Sequence, residues 1–129
     1  MNKLDKDSII GISALLVHAA KIDEIYSDHE RDLIKDFIKS YLKEDDTNEI
    51  LKKAEEIEKN SNQLLNFTNI IKKNSTDVKK DILEHLWKVI ISDDTVDQYE
   101  SNLMRRICGL IYFSDKDCAE IKLKLINSK

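Results

Sequence analysis

Apolar residues recur at helical spacing along almost the whole chain, and the polar breaks between them open with residues that cap helices. The pattern predicts about seven helices. The first runs from about Ser8 to Ile22, with Ile9, Ile12, Leu16 and Ala19 on one stripe and Ile10 and Val17 widening it. The second, from about Asp28 to Leu42, carries two adjacent i, i+4 rows, Leu33-Phe37-Tyr41 and Ile34-Ile38-Leu42, and so presents a broad apolar face. Asp46 with Glu49 has the spacing of a cap that opens the third helix, which reaches about Lys59 with only a thin stripe of Ile50, Leu51, Ala54 and Ile57. A fourth helix holds Leu64, Leu65, Phe67, Ile70 and Ile71 and ends near Asn74. The fifth spans about Thr76 to Ser92 with Val78, Ile82, Leu86, Val89 and Ile90 inward, and is the expected centre of the core. The sixth covers about Gln98 to Tyr112, and the seventh starts after Ser114 and carries Cys118, Ile121, Leu125 and Ile126. Short connections between helices of this length favour close antiparallel packing, so the expected fold is all-α, a compact bundle forming one domain over residues 1–129.

Composition narrows the alternatives. The chain has 129 residues, two glycines and no proline. A β sandwich needs Gly and Pro at its tight turns and an α/β nucleotide fold needs a Gly-rich phosphate loop, so Gly11 and Gly109 cannot serve either. Both glycines fall inside predicted helices, where each costs about 1 kcal/mol relative to Ala, and each is read as a site where another helix approaches closely. A net charge of −4 argues against a nucleic-acid binder, and Lys72-Lys73, Lys79-Lys80 and Arg105-Arg106 are read as solvated faces. No run of eighteen apolar residues predicts membrane insertion, and the start, Met1 to Asp7, lacks a signal-peptide core, so a cytoplasmic location is expected. In that reducing setting Cys108 and Cys118 are read as small buried apolar residues, not a bridge.

An internal repeat is the most specific feature. Asp23-Glu24-Ile25-Tyr26-Ser27-Asp28-His29-Glu30 aligns without a gap on Asp93-Asp94-Thr95-Val96-Asp97-Gln98-Tyr99-Glu100. Each segment sits between two apolar helices, with Leu33-Ile34 matching Leu103-Met104, so the chain reads as two pseudo-symmetric helix-loop-helix hairpins. Ser27 with Glu30, and Asp97 with Glu100, have capping-box spacing, which needs no ligand. Asp23 and Asp93 fall at helix C-termini, where the macrodipole disfavours negative charge by roughly 0.3–1 kcal/mol, so loop N–H groups, a neighbouring base or a bound cation should compensate them. If a cation binds, the all-carboxylate set Asp23, Glu30, Asp93 and Glu100, with Asp94 and Asp97 in reserve, selects Ca²⁺, Mg²⁺ or Mn²⁺ over zinc. The loops are not EF-hands, because the twelfth positions hold Ile34 and Met104 and the sixth hold Asp28 and Gln98. His18, His29 and His85 do not pair at i, i+4 and have no Cys near them, which leaves them as surface or core residues.

These residues, with Leu15-Leu16-Val17-His18-Ala19-Ala20-Lys21-Ile22-Asp23 early, Leu64-Leu65-Asn66-Phe67-Thr68 in the middle, Leu86-Trp87-Lys88-Val89 before Asp93, and Leu103-Met104-Arg105-Arg106-Ile107 after Glu100, resemble the TerB-like family of tellurite-resistance-associated proteins from about residue 10 to 125. The resemblance implies an all-helical cytoplasmic bacterial protein of stress and tellurite resistance, without established catalysis, whose paired acidic loops hold divalent metal. It carries the family's acidic pattern onto Asp23 and Glu30, and onto Asp93 and Glu100. The chain departs from the pattern where the family usually has Gly: Glu24 and Asp94 follow the loop aspartates, and Tyr112 precedes the last cap.

Three functions compete. The first is a non-enzymatic module that takes a divalent cation and docks a partner protein in a stress response. The second is a metal-free structural interaction domain, and the third a carboxylate-metal hydrolase, disfavoured because no nucleophile triad, phosphate loop or His-containing metal motif is present. The basic residues could also meet the acidic loops of a second copy in a homodimer.

Overall fold

The computed structural model describes residues 5–21, 27–42, 47–60, 65–91 and 98–127, with the backbone alone at residues 65, 66 and 98–100. Among them are seven α-helices and no strand: α1 (Lys6–Ala20), α2 (Asp28–Tyr41), α3 (Thr47–Asn60), α4 (Leu65–Lys72), α5 (Thr76–Ile90), α6 (Gln98–Leu110) and α7 (Asp115–Asn127). The helix starts follow local chemistry. Asp5 caps α1 by accepting from the Ser8 backbone N–H at 2.7 Å, so that helix begins before its apolar stripe does. Ser75 caps α5 through Val78 N–H at 3.4 Å, and the Ser114 hydroxyl accepts from Asp117 N–H at 3.4 Å at the start of α7. The opening of α3 at Asp46 lies outside the described residues.

The repeat persists in three dimensions as a constant register. α1 and α5 have the same length and keep the alignment of the two acidic segments, with Lys6 matching Thr76 at their starts and Ala20 matching Ile90 at their ends, and α2 and α6 begin at the matching residues Asp28 and Gln98. The two hairpins differ in how deeply they are placed. α1 packs against α2, α3, α4 and α5, and eleven of its fifteen residues are buried, against seven in α5. The centre of the core is therefore α1, not the fifth helix. The reason is visible in the paired positions: α1 has Ile9, Ile10 and Leu15 where α5 has Lys79, Lys80 and His85. With apolar residues on nearly all sides, α1 can be covered on nearly all sides. The other apolar stripes meet it in one cluster that includes Ile34, Phe37, Ile38, Ile50, Ala54, Ile71, Ile82, Leu86, Ile107 and Ile121.

The two glycines separate. A Cβ on Gly11 would run into the Ile70 side chain, so α4 does approach α1 there. A Cβ on Gly109 would meet nothing within 4 Å, and the expectation of a close approach at that residue is corrected: Gly109 is a glycine on an open helix flank. Gly109→Ala should stabilise the fold by about 1 kcal/mol through helix propensity alone. Gly11→Ala should gain less, because the tip of Ile70 must swing aside. Urea denaturation of the two variants checks this, and an equal gain at both positions would contradict the packing of Ile70 on Gly11.

The end of α6 accounts for Tyr112. Phe113 N–H donates to Cys108 C=O at 2.9 Å and Tyr112 N–H to Gly109 C=O at 3.4 Å, the pair of bonds of a Schellman ending. That ending needs a left-handed residue, and Tyr112 supplies it with φ 59°. The glycine that the resemblance implies at this point would serve as a helix stop, and here a tyrosine takes the left-handed backbone such a stop needs. The buried residues Phe113 and Cys108 make the apolar pair that accompanies such endings, and Lys72 Nζ lies 4.7 Å from the centre of the Tyr112 ring.

Candidate functional site

On either side of the first acidic segment, the end of α1 and the start of α2 are both held to α3. Lys21, one residue past α1, donates to Glu58 of α3 at 2.8 Å, and His18 Nδ1 lies 3.3 Å from the same carboxylate. Arg31 of α2 reaches Glu55 of α3 at 3.3 Å and Asp28 at 3.6 Å. These pairs tie the helix ends on both sides of the loop to α3. His18 is thus a surface partner of Glu58, and His29 is exposed, as the reading of both as surface or core residues expects.

Glu30 is the one sequence-predicted ligand whose side chain is described. It is 6% exposed, and its Oε1 accepts from Ser27 N–H at 2.9 Å and from the Ser27 hydroxyl at 3.1 Å, while Glu30 N–H donates to Ser27 Oγ at 3.2 Å. This is a complete capping box. The buried acid is therefore satisfied by the helix start, and since a carboxylate has two oxygens with about four acceptor sites, capping does not by itself exclude a cation. Glu100 occupies the third residue of α6 as Glu30 occupies the third of α2. Asp23, Asp93, Asp94 and Asp97 lie outside the described residues, as does the side chain of Glu100. Among the described residues no group of three or more His, Cys, Asp and Glu could hold a metal ion.

A second polar cluster, between α2 and α5, was not anticipated. The Tyr41 hydroxyl donates to Asp81 Oδ2 at 2.6 Å, His85 Nε2 lies 3.7 Å from Asp81 Oδ1, and the His85 ring meets Phe37 edge-on at 5.1 Å. Burial pushes the Tyr41 hydroxyl well above its usual range, and the Asp81 carboxylate beside it adds to the shift. Burial also pulls His85 below its ordinary value, with Lys88 helping and Asp81, Glu84 and Asp36 opposing. The readable signal was the i, i+4 spacing of Asp81 and His85 on one helix face.

An open groove of about 710 Å³ lies between α1, α3 and α4, with Ile10, Gly11, Ile57, Phe67 and Ile70 among its lining and Asp7, Lys53 and Glu56 bringing charges of both signs to it. Between α5 and α7, Trp87 donates Nε1–H to Cys118 Sγ at 3.3 Å, and both cysteines are free and buried.

The family model described as tellurite resistance protein TerB matches residues 10–123, from the first turns of α1 into α7. The chain belongs to the TerB family. Neither a curated protein nor a solved structure matches it. Membership in the TerB family makes the chain a non-catalytic module, and its seven-helix, sheet-free bundle among the described residues agrees with that fold. No helix among the described residues is long and apolar enough to cross a membrane.

Proposed function

We propose that the protein is a cytoplasmic, non-enzymatic binding module whose two acidic loops take a divalent cation, Ca²⁺, Mg²⁺ or Mn²⁺, through Asp23, Glu30, Asp93 and Glu100, and whose helical faces dock a partner protein in a stress response of the tellurite-resistance type. The observation that carries this reading is the shared register of the hairpins: two aligned acidic segments, Asp23 to Glu30 and Asp93 to Glu100, each end in a glutamate at the third position of a helix, α2 or α6. Capping explains Glu30, and its spacing recurs at Asp97 and Glu100, yet it asks nothing of Asp23 and Asp93, which recur at matching places in the repeat, three residues beyond the last residues of α1 and α5 in the sequence. A hard cation is the ligand that four carboxylates favour.

The metal-free interaction domain is the alternative, and the complete capping box at Glu30 is the observation that favours it. Thermal unfolding with and without each cation separates the two. Binding to the folded state alone should raise the melting temperature with added cation, by the equivalent of about 2.7 kcal/mol at a hundredfold excess over the dissociation constant. Asp93→Asn and Asp23→Asn should lose that rise while melting normally without metal. No rise in the wild type, or an equal rise in Asp93→Asn, selects the metal-free reading.

A further inference from the structure

Two exposed helix faces carry the same spacing. On α3, Lys53, Glu56, Ile57 and Asn60 stand at i, i+3, i+4 and i+7, all exposed, along the groove that Gly11 and Ile70 also line. On α7, Glu120, Leu123, Lys124 and Asn127 stand at the same four positions, all exposed, over a shallow open hollow of about 450 Å³. That spacing is one side of a helix, two turns long. The core uses neither face: α3 buries Ile50, Leu51 and Ala54, and α7 buries Cys118 and Ile121. Four large apolar side chains are left exposed among the described residues, and three of them lie on these two helices: Ile57 at 42%, Leu123 at 56% and, one turn beyond it, Ile126 at 41%. Lys53 with Glu56, and Glu120 with Lys124, are spaced to pair along their own helices, yet none of the four forms an ion pair among the described residues.

We propose that the α3 face of one molecule binds the α7 face of a second copy, with the two helices antiparallel. That alignment sets Glu56 opposite Lys124 and Ile57 opposite Leu123, with Lys53 against Asn127 and Asn60 against Glu120 at the two ends. Every pair is favourable in kind. An acid meets a base, two apolar side chains cover each other, the Lys53 ammonium donates to the Asn127 amide oxygen, and the Asn60 amide N–H donates to the Glu120 carboxylate. A parallel alignment sets Glu56 on Leu123 and Ile57 on Lys124, so that each apolar residue meets a charge. The order of residues therefore selects both the occupant and its direction. Within one molecule α3 packs against α1 and α2, and α7 against α5 and α6, which leaves each face turned outward.

The two faces are different patches, so every molecule can offer its α7 to one neighbour and take the α7 of another. Two molecules that do both to each other close as a twofold pair; otherwise the contact continues from copy to copy. Four pairs are few beside the roughly 20–30 residues a side of a stable complex, so the association is weak and grows with concentration. Neither acidic segment enters the contact, and its test is independent of any cation.

The test is sedimentation velocity of the full chain over a concentration series, without added divalent cation. The wild type should pass from monomer to larger species as concentration rises, and less so in high salt. Glu56→Lys and Lys124→Glu should each weaken association by about tenfold or more by setting like charges opposite each other, and Leu123→Asp should abolish it. The double variant Glu56→Lys with Lys124→Glu restores opposite charges and should regain association, as should an equal mixture of the two single variants. All three positions are exposed, so the variants should melt as the wild type does. The proposal is overturned if the wild type stays monomeric up to its solubility limit, as it would if a different protein occupied these faces. It is overturned equally if all three single variants associate as the wild type does, or if the double variant stays as weak as its parents.

Discussion

Phe37→Ala should lower the stability of the fold by about 3–5 kcal/mol, the range for removing a fully buried aromatic ring. Phe37 has no exposed surface, stands on α2, and meets Tyr41 at 5.2 Å and His85 of α5 at 5.1 Å between ring centroids. Its removal does more than open a cavity, because the ring is part of what keeps water from His85. In the wild type, burial holds the His85 pKa below its ordinary value, so the folded state prefers the neutral imidazole. The stability this contributes is complete above the unfolded value of about 6.5 and is lost as pH falls from there through the depressed folded value. In Phe37→Ala the His85 titration, followed by NMR, should move back toward the ordinary value, and the acid loss of stability should shrink accordingly. A loss below about 1 kcal/mol with His85 unmoved would mean that α2 and α5 do not meet through this ring.

Leu16→Ala should cost about 2–5 kcal/mol, toward the upper part of that range. Leu16 is fully buried in α1, and the helix it sits on is walled by α2, α3, α4 and α5, so a cavity there cannot close by shifting one neighbour. Leu86, its counterpart in the repeat on α5, is equally buried and provides the internal comparison. Urea titration of Leu16→Ala and Leu86→Ala should show Leu16 costing at least as much as Leu86, with similar denaturant slopes. A clearly larger loss at Leu86 would return the centre of the core to α5.

The sequence pattern carried the helices well because α1, α2, α5 and α7 each begin with a local signal that needs no knowledge of the rest of the molecule. Ser27 with Glu30 and Ser114 with Asp117 sit where capping chemistry predicts, and helix boundaries agree within a few residues. Burial was less legible. The stripe of Val78, Ile82, Leu86, Val89 and Ile90 made the fifth helix look central because amphipathic contrast is easy to see, whereas α1, apolar almost all round, has little contrast and is buried for that reason. Gly109 and Gly11 look alike in one dimension and differ only in whether Ile70 stands opposite. The candidate site divides along the same line: Glu30 as a cap was readable from spacing, while the meeting of Tyr41 with Asp81, far apart in sequence, depends on how α2 lies on α5.

The central position of α1 has a consequence for the chain as it is made. The helix with the least polar surface precedes every helix that covers it, and α5, one of its walls, begins only at Thr76. At about 5–20 residues per second, roughly 4–14 s separate the synthesis of α1 from that of α5. Through that interval the nascent protein carries the largely apolar α1 without its full cover, so the helix that is buried deepest in the finished fold is also the one exposed longest while the chain is made.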